Sequence, residues 1–371
     1  MARVLFTLLE QLVSIPSPTG QETQLAAWCE NFLSQSHFSV QRQWLPDGRF
    51  NILAESSGTG PELILYAHLD TVHPDPNWED PFQLQQRGDH LLGLGVSDMK
   101  GGLAVILHAA QNFSARGCRL KIALGVDEEQ WSAGAWTLLR SGWLAQAQLI
   151  LVPELSIDSP ALHLGLGRRG CFSYQLDIEG IKRHGALQSL NAIQEGAHLI
   201  QALSHREQRP HPHWGTEDIL FRAIQAESTE LSVPACCRIV FSCFTHPGRS
   251  SEAHQKQLQQ ELERLSTARL KLSPLERPTP GAPGYWIDSQ HPQVRRFQTQ
   301  ISKIRGTPLP EVMGVSVADE NVLALSGVPV LSLAPTGGNS HRHDEWLSAA
   351  SLQETSTLFQ ALLDSAAEWL G

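Results

Sequence analysis

The sequence predicts an α/β protein whose larger domain is a mostly parallel sheet with helices on both faces, interrupted by a smaller α+β domain. Three observations indicate this. Short, continuous apolar runs, typical of strands buried on both faces, alternate with helical segments up to about residue 153. From about Cys171 onward, strands of alternating polarity replace them. A continuous apolar run then returns at residues 328–335.

The domain boundaries follow from these changes in pattern. Residues 1–171 and 285–371 are predicted to form the larger domain, and residues 172–284 the insertion. Segment 273–284 is rich in Pro and Gly and fits the linker that returns the chain to the larger domain. A chain of 371 residues also exceeds the usual size of a single core, which favours two domains.

The individual elements are predicted from their periodicity, in chain order. In the larger domain, apolar residues at helical spacing or in short runs predict helices around 5–13, 21–33, 101–113 and 293–304, and buried strands at 62–67, 120–126, 148–153 and 328–335. The insertion is predicted to follow the order β-α-β-α, at 171–180, 191–205, 236–244 and 250–266.

Composition and charge limit the class of protein. A net charge of -10 argues against a nucleic-acid partner, which selects for basic surface. No apolar run approaches the length of a membrane span. Glu10 interrupts the apolar N-terminal run, so no signal peptide is predicted. The six cysteines form no C-x-x-C pair, which favours buried thiols in a reduced compartment. We therefore expect a cytoplasmic protein without nucleic-acid or membrane partners.

The first candidate functional residues end a predicted strand, in "LYAHLDTVHP". His68 and Asp70 are two residues apart on an extended run, so both side chains can face the same side. Ligand sites in open α/β sheets lie at the carboxyl ends of strands, and a carboxylate often orients a histidine ligand. A solvated H-x-D at a strand cap is an equally good interpretation of these two residues taken alone.

Asp98 lies in a glycine-rich segment, "GLGVSDMKGG", just before a predicted helix. An aspartate that caps the helix is a common alternative. Capping does not explain the density of glycines on either side. Their backbone freedom indicates an unusual turn that holds a carboxylate at a site.

Further acids follow the next two predicted strands. Glu128 and Glu129 belong to "GVDEEQW", and Glu154 belongs to "LVPELS". A run of acids alone is typical of a solvated face or a helix start. Here the acids, with His68 and Asp98, are predicted to converge on one sheet edge, where they could not all be ionised without a cation between them. Oxygen and nitrogen ligands favour zinc, cobalt or manganese, and the lack of cysteine disfavours a structural zinc site.

Two histidines near the C-terminus, in "GGNSHRHDEW", follow the last predicted strand. His341 and His343 are two residues apart and can face the same way. Periodicity therefore does not choose between them as a metal ligand.

In their order, these motifs resemble the co-catalytic zinc metallopeptidases and deacylases, which include acetylornithine deacetylase, succinyl-diaminopimelate desuccinylase, aminoacylase and glutamate carboxypeptidase. The matching phrases are "HLDTV", "GLGVSDMKGG", "DEE", "PELS" and a C-terminal histidine followed by "DE". The opening "LLEQLVSIPSPTGQE" also fits, so the resemblance runs from about residue 8 to residue 346. Each phrase is weak alone, but their order is specific.

The resemblance implies two divalent metal ions, zinc first, with cobalt or manganese as alternatives. One ion would be held by His68, Asp98 and Glu154, and the other by Asp98, Glu129 and His341, with Asp98 as the bridge. His341 is chosen over His343 because the family's ligand histidine precedes an Asp/Asn-Glu pair by three and four residues, the spacing here to Asp344 and Glu345.

The resemblance also implies catalytic roles. Asp70 would orient His68, and Glu128 would be the general base when a metal-bound hydroxide attacks an amide carbon. The peptide bond between Asp98 and Met99 is a candidate for a cis bond.

The insertion resembles the family's lid and dimerisation domain. His184 in "GIKRHGALQSLNAI" matches the lid histidine that stabilises the oxyanion, and the resemblance implies a homodimer. The chain departs from the pattern elsewhere: "LSVP" at 231–234 replaces an Asn-x-x-Pro phrase, and the usual Asp-x-Arg is missing from "RIVFSCF". These differences affect residues that help hold the substrate.

The function implied is removal of the acyl group from a small N-acyl amino acid, as in acetylornithine deacetylase. A dipeptidase or carboxypeptidase with the same site is the alternative. A non-catalytic binding homologue is disfavoured, because Glu128 and all five implied ligands are present.

Overall fold

The computed structural model describes residues 2–114, 117–156, 161–206, 208, 210–228 and 231–371. The chain divides into two compact units. Unit 1 comprises Met1–Arg168, Trp286–Gly314 and Ala318–Gly371, and unit 2 comprises Arg169–Tyr285 and Val315–Val317.

Strands and helices are numbered in chain order. The strands are β1 (Ser39–Trp44), β2 (Phe50–Glu55), β3 (Glu62–His68), β4 (Gln85–Arg87), β5 (His90–Leu92), β6 (Arg119–Gly125), β7 (Ala147–Val152), β8 (Leu164–Arg168), β9 (Gly170–Glu179), β10 (Asp218–Gln225), β11 (Cys236–Thr245), β12 (Arg269–Pro274), β13 (Tyr285–Trp286), β14 (Glu311–Gly314), β15 (Val330–Ser332), β16 (Gly337–Gly338) and β17 (Trp346–Ser348). The helices are α1 (Ala2–Ser14), α2 (Thr23–Gln35), α3 (Gly101–Gln111), α4 (Ala133–Arg140), α5 (Ala192–Ser204), α6 (Ser251–Leu265), α7 (Pro292–Arg305), α8 (Asp319–Leu323), α9 (Ala349–Asp364) and α10 (Ala366–Trp369).

A large sheet organises unit 1, with its strands in the order β1-β2-β6-β3-β7-β15-β8-β13, and with β14 paired to β8. The central strands β6, β3, β7 and β15 are parallel to one another, whereas β1 and β2 add an antiparallel edge. Every residue of β3 is buried, as its continuous apolar run predicts. The predicted α/β class with a mostly parallel sheet is confirmed.

Helix α3 is central to the helix packing of unit 1. It contacts α1, α2 and α9, while α4 contacts α8. A second small sheet, in the order β16-β17-β5-β4, was not predicted. Its strands are two or three residues long, which is too short for a periodic pattern to show.

Unit 2 is a four-stranded antiparallel sheet in the order β10-β11-β9-β12, with helices α5 and α6. Residues of β9 alternate between buried and half-buried, so one face carries the core. Phe172, Tyr174 and Leu176 pack there with Leu199 and Leu258 of the helices. The predicted β-α-β-α order was incomplete, because the structure adds β10 and β12.

The two unpredicted strands of unit 2 were missed for different reasons. Strand β10 is exposed along most of its length, which removes the apolar alternation of a half-buried strand. Strand β12 alternates between polar and apolar residues, but it ends at Pro274, inside the segment interpreted as a linker.

The cysteines differ in part from expectation. All six are free thiols, as expected for a chain without a disulfide framework. The prediction that they are buried is wrong for Cys236, which is exposed, and for Cys171, which is half-buried. Both lie on strands of unit 2. Among the described residues, no helix combines the length and the apolar character needed to cross a bilayer.

Candidate metal centre and active site

Three adjacent parallel strands place the predicted residues at one edge of the large sheet. His68 is the last residue of β3, Glu128 and Glu129 follow β6, and Glu154 follows β7. Strand β3 lies between β6 and β7 and is parallel to both. The carboxyl ends of parallel strands meet at one edge, so these side chains converge as the sequence predicted.

Asp98 reaches this edge on the turn before α3. Gly95 in that turn has φ of 76°, and a Cβ on it would lie 2.5 Å from Cγ2 of Thr71. The position therefore requires glycine. The peptide bond between Asp98 and Met99 is cis, as predicted.

Glu345 holds this turn in place. Its buried carboxylate accepts hydrogen bonds from the backbone N–H groups of Gly95, Ser97 and Asp98, at 2.8, 2.8 and 3.1 Å. Burial, followed by the charge of Asp98, raises the pKa of Glu345 to about 8. In the sequence, Glu345 marks only the spacing that singles out His341. The signal for its supporting role was the position of this carboxylate shortly after the predicted ligand His341 in the sequence.

Asp98 lies between two histidine rings and offers each a different oxygen. Nε2 of His68 lies 3.1 Å from Oδ1, and Nε2 of His341 lies 3.4 Å from Oδ2. Burial alone would raise the pKa of Asp98, but the hydrogen bonds with His341 and His68 hold it well below its usual range. This arrangement is what a bridging ligand requires.

His341, Glu129 and Asp98 form the more open side of the centre. Nε2 of His341 lies 3.1 Å from Oε2 of Glu129, and the three residues offer ligand atoms that all lie within 4.8 Å of one another. The hydrogen bonds with Asp98 and Glu129 raise the pKa of His341 to about 10. His341 has φ of 67°, a left-handed conformation that is rare outside glycine and is concentrated at functional sites.

His68 and Glu154 form the buried side. Nε2 of His68 lies 4.0 Å from Oε2 of Glu154. Burial would lower the pKa of His68, but its hydrogen bond with Asp98 and the charges of Glu128 and Asp70 raise the pKa well above its ordinary value.

The residues present fit divalent cations. Oε1 of Glu129 and Oε2 of Glu154 are buried and accept no hydrogen bond from the described residues. Burial raises the pKa of both carboxyl groups, and it also raises the pKa of Glu128 well above its ordinary value. Buried carboxylate oxygens without a partner are costly unless a cation satisfies them. Imidazole nitrogens and carboxylate oxygens suit zinc, cobalt or manganese.

Asp70 connects the buried histidine to the predicted base. Its carboxylate accepts hydrogen bonds from the backbone N–H groups of Glu128 and Glu129, both at 3.1 Å, and from the hydroxyl of Thr19 at 3.0 Å. Nδ1 of His68 lies 3.0 Å from the backbone carbonyl oxygen of Asp70 and 3.6 Å from its carboxylate. The carbonyl therefore makes the shorter contact that fixes the ring. Thr19 was missed because "SPTG" is typical of a plain turn.

His343 and His184 are placed differently. His343 is exposed and lines a surface cavity of about 420 Å³ with residues such as Trp78 and Arg87. His184 lies in unit 2 with an exposed side chain, and its Nδ1 accepts a hydrogen bond from the N–H of Ala186 at 3.3 Å.

Two histidines, a shared aspartate and glutamates at the carboxyl edge of a parallel sheet define a candidate binuclear metal centre of the hydrolase type. Residues 64–365 match the peptidase family M20/M25/M40, and the chain belongs to this family. It is therefore a hydrolase that acts on amide or peptide bonds.

Relatives of the chain span almost its whole length. A succinyl-diaminopimelate desuccinylase of Xylella fastidiosa (strain 9a5c) is 27% identical, and the match covers 97% of each chain. An acetylornithine deacetylase of Proteus mirabilis (strain HI4320) is 26% identical over 96% of this chain and 95% of its own. A crystal structure of a dinuclear metal-binding M20 peptidase from Bacillus subtilis has a TM-score of 0.76, with 15% identity and 99% coverage of both chains. This last likeness shows a shared fold.

Proposed function

We propose that the chain is a di-metal amidohydrolase that removes the acyl group from a small N-acyl amino acid. The observation that carries the proposal is the position of Asp98 between His68 and His341, with unpartnered carboxylate oxygens on Glu129 and Glu154. Relatives named as a desuccinylase and a deacetylase match nearly the full length and support deacylation.

Two ions would be held by this chain's own side chains. His68, Asp98 and Glu154 would bind one, and Asp98, Glu129 and His341 the other. When bound, two such ions lower the pKa of a water molecule and polarise a carbonyl oxygen. Zinc is the first candidate, with cobalt or manganese as alternatives.

Glu128 is the proposed general base. Its N–H is fixed to Asp70, and burial, with the charges of Glu154 and Glu129, shifts its pKa upward, in the direction that a group needs to exchange protons near neutral pH. Its carboxylate would accept the proton of the attacking water. It would then hold that proton and donate it to the leaving amine nitrogen.

A substrate panel tests the proposal and its alternative. The purified protein is assayed with N-acetylornithine, N-succinyl-diaminopimelate, other N-acyl amino acids and unmodified dipeptides, each with and without a chelator. Higher kcat/KM on N-acyl amino acids, lost with chelation, is the expected result. Preference for dipeptides would favour the peptidase alternative, which the peptidase fold of the Bacillus subtilis protein supports. Chelator-resistant hydrolysis would contradict the metal mechanism.

His184 is proposed to stabilise the oxyanion from the insertion, acting as a lid. Because its Nδ1 accepts the N–H of Ala186, the neutral ring carries its proton on Nε2, which can then donate to an oxyanion. His184→Ala should lower kcat by roughly 10²–10³-fold and leave metal content unchanged. Unchanged kcat would remove His184 from the mechanism.

A homodimer through unit 2 is also proposed. Strand β10 is an edge strand that exposes Leu220 by 53% and Ile224 by 50%, and unpaired edges favour association. Light scattering should show a dimer that Ile224→Asp weakens and that Leu325→Asp, at an exposed site of unit 1, leaves intact. A wild-type monomer at micromolar concentration would contradict the proposal.

A further inference from the structure

A buried arginine contacts the proposed metal ligand Glu154 through the oxygen that does not face the metal site. Arg168 is only 1% exposed. Its Nη2 donates to Oε1 of Glu154 at 2.8 Å and to the carbonyl oxygen of Leu155 at 3.0 Å. The other oxygen of Glu154, Oε2, is the one that faces His68 at 4.0 Å and accepts no hydrogen bond from the described residues.

A second buried carboxylate completes this cluster. Oε1 of Glu320 accepts from Nε of Arg168 at 2.9 Å, from Nη2 at 2.7 Å and from the hydroxyl of Ser332 at 2.9 Å. Glu320 is fully buried, at the start of α8. The planar guanidinium therefore contacts two carboxylates at once, which a lysine ammonium cannot reproduce with the same geometry.

The charges of the cluster also matter. Arg168 offsets one of the two buried negative charges, so Glu154 and Glu320 with Arg168 carry a net charge of about one negative unit. This leaves Glu154 able to attract a cation through one oxygen, while the positive guanidinium next to it limits that attraction. Glu129, on the open side, receives no arginine or lysine contact among the described residues.

We propose that Arg168 and Glu320 are positioning residues that fix Glu154 as a one-oxygen metal ligand and thereby set the affinity of the His68 side of the centre. The inference rests on the proposed di-metal function. It assigns to this chain a built-in difference between its two metal sites, and it makes Arg168 a determinant of metal occupancy without contact with substrate.

The test titrates metal-stripped protein with Zn²⁺ and with Co²⁺ by calorimetry, with the Co²⁺ absorption spectrum as a second readout. Glu154→Gln and His341→Ala identify which binding event belongs to which side. Arg168→Lys should weaken the Glu154-side event by roughly 10- to 100-fold, as loss of a residue that orients a ligand does, and leave the His341-side event unchanged. Equal affinities in Arg168→Lys and wild type, or equal weakening of both events in a folded variant, would overturn the proposal.

A control variant separates this effect from the loss of an arginine that bridges two carboxylates elsewhere in the sheet. Arg119, whose side chain is 40% exposed, contacts Glu55 and Glu62 at the opposite end of the same strands. Arg119→Lys should leave both binding events at wild-type affinity. If it weakens the Glu154-side event as much as Arg168→Lys does, the proposed role of Arg168 is wrong.

Circular dichroism shows whether Arg168→Lys folds like the wild type. If it does not, a second variant, Glu320→Gln, tests the proposal in its place. Glu320→Gln keeps an oxygen for Arg168 but leaves its charge less balanced, so the guanidinium should compete more strongly with the cation for Glu154. The same binding event should weaken, and unchanged affinity would overturn the proposal. Wild-type protein without a Glu154-side event would overturn both this inference and the di-metal function, whereas two intact events without amide hydrolysis would overturn the function alone.

Discussion

The two sides of the candidate metal centre are built in different ways. His68 and Glu154 come from the ends of adjacent strands, are buried, and are fixed by Asp70 and Arg168. His341 comes from a loop, has a side chain that is 54% exposed, and holds a left-handed backbone conformation. The buried side is preorganised by packing, whereas the open side depends on the loop that carries His341. We therefore expect the open side to exchange metal more readily.

Removing the residue that both sides share should have the largest effect. Asp98→Ala deletes the contacts to His68 and to His341 together. Because metal ions supply several kcal/mol of transition-state stabilisation, and about 1.4 kcal/mol is tenfold in rate, hydrolysis should fall by roughly 10³-fold or more. Elemental analysis should show both ions lost. Retention of two tightly bound ions would contradict the bridging role.

Changing the histidines of the loop sharpens the comparison. His341→Ala should release the ion of the open side and keep the one held by His68 and Glu154, with a large loss of kcat/KM. His343→Ala is the matched control two residues away, because its side chain is exposed and lines a different cavity. Metal content measured after dialysis distinguishes them. Equal metal loss in both variants would show that the assignment of His341 is wrong.

Changing Glu345 should affect both sides by a smaller amount. Glu345→Gln replaces one acceptor oxygen by an NH₂ group that cannot accept the backbone N–H groups of the Asp98 turn. Each unsatisfied buried donor costs about 1–3 kcal/mol, so unfolding by denaturant should show a loss of this order. Both metal affinities should weaken together. Weakening of one side alone would contradict the role of Glu345 in holding the shared turn.

The smallest effect is expected from the exposed ion pair beside His341. Arg342 contacts Asp344 at 3.0 Å, with side chains 62% and 42% exposed. Exposed pairs contribute little, so Arg342→Ala should change the free energy of unfolding by less than about 1 kcal/mol. A larger loss, with release of the open-side ion, would show that this pair helps to hold His341.

The sequence predicted the buried side better than the open side, for a physical reason. Three apolar runs mark buried parallel strands, and the carboxyl ends of such strands converge. One run ends at His68, and the other two end just before Glu128 and just before Glu154. The position of His341 depends on loop geometry, which has no periodicity. Only the resemblance to a family separated His341 from His343.

Residues that support the ligands were largely missed. Arg168 lies on β8, the strand that follows Glu154 in the chain, and Glu320 is distant in the sequence, so the fold is what brings both into one cluster with this ligand. The two arginines in "GLGRRG" are unusual next to apolar strand residues, and that was the available signal for a buried, paired guanidinium. The edge strand β10 is mostly exposed and lacked the alternation of a half-buried strand, whereas β12 does alternate but runs into the segment interpreted as a linker.

The central claim is tested most directly by the metal content and turnover of Glu128→Ala, measured on the same sample. Glu128 contributes no ligand atom in the proposed centre, so the variant should keep two ions per chain. Turnover of the best N-acyl amino acid should fall by roughly 10²–10⁴-fold, the usual contribution of a general base. Two ions retained with wild-type turnover would contradict the account.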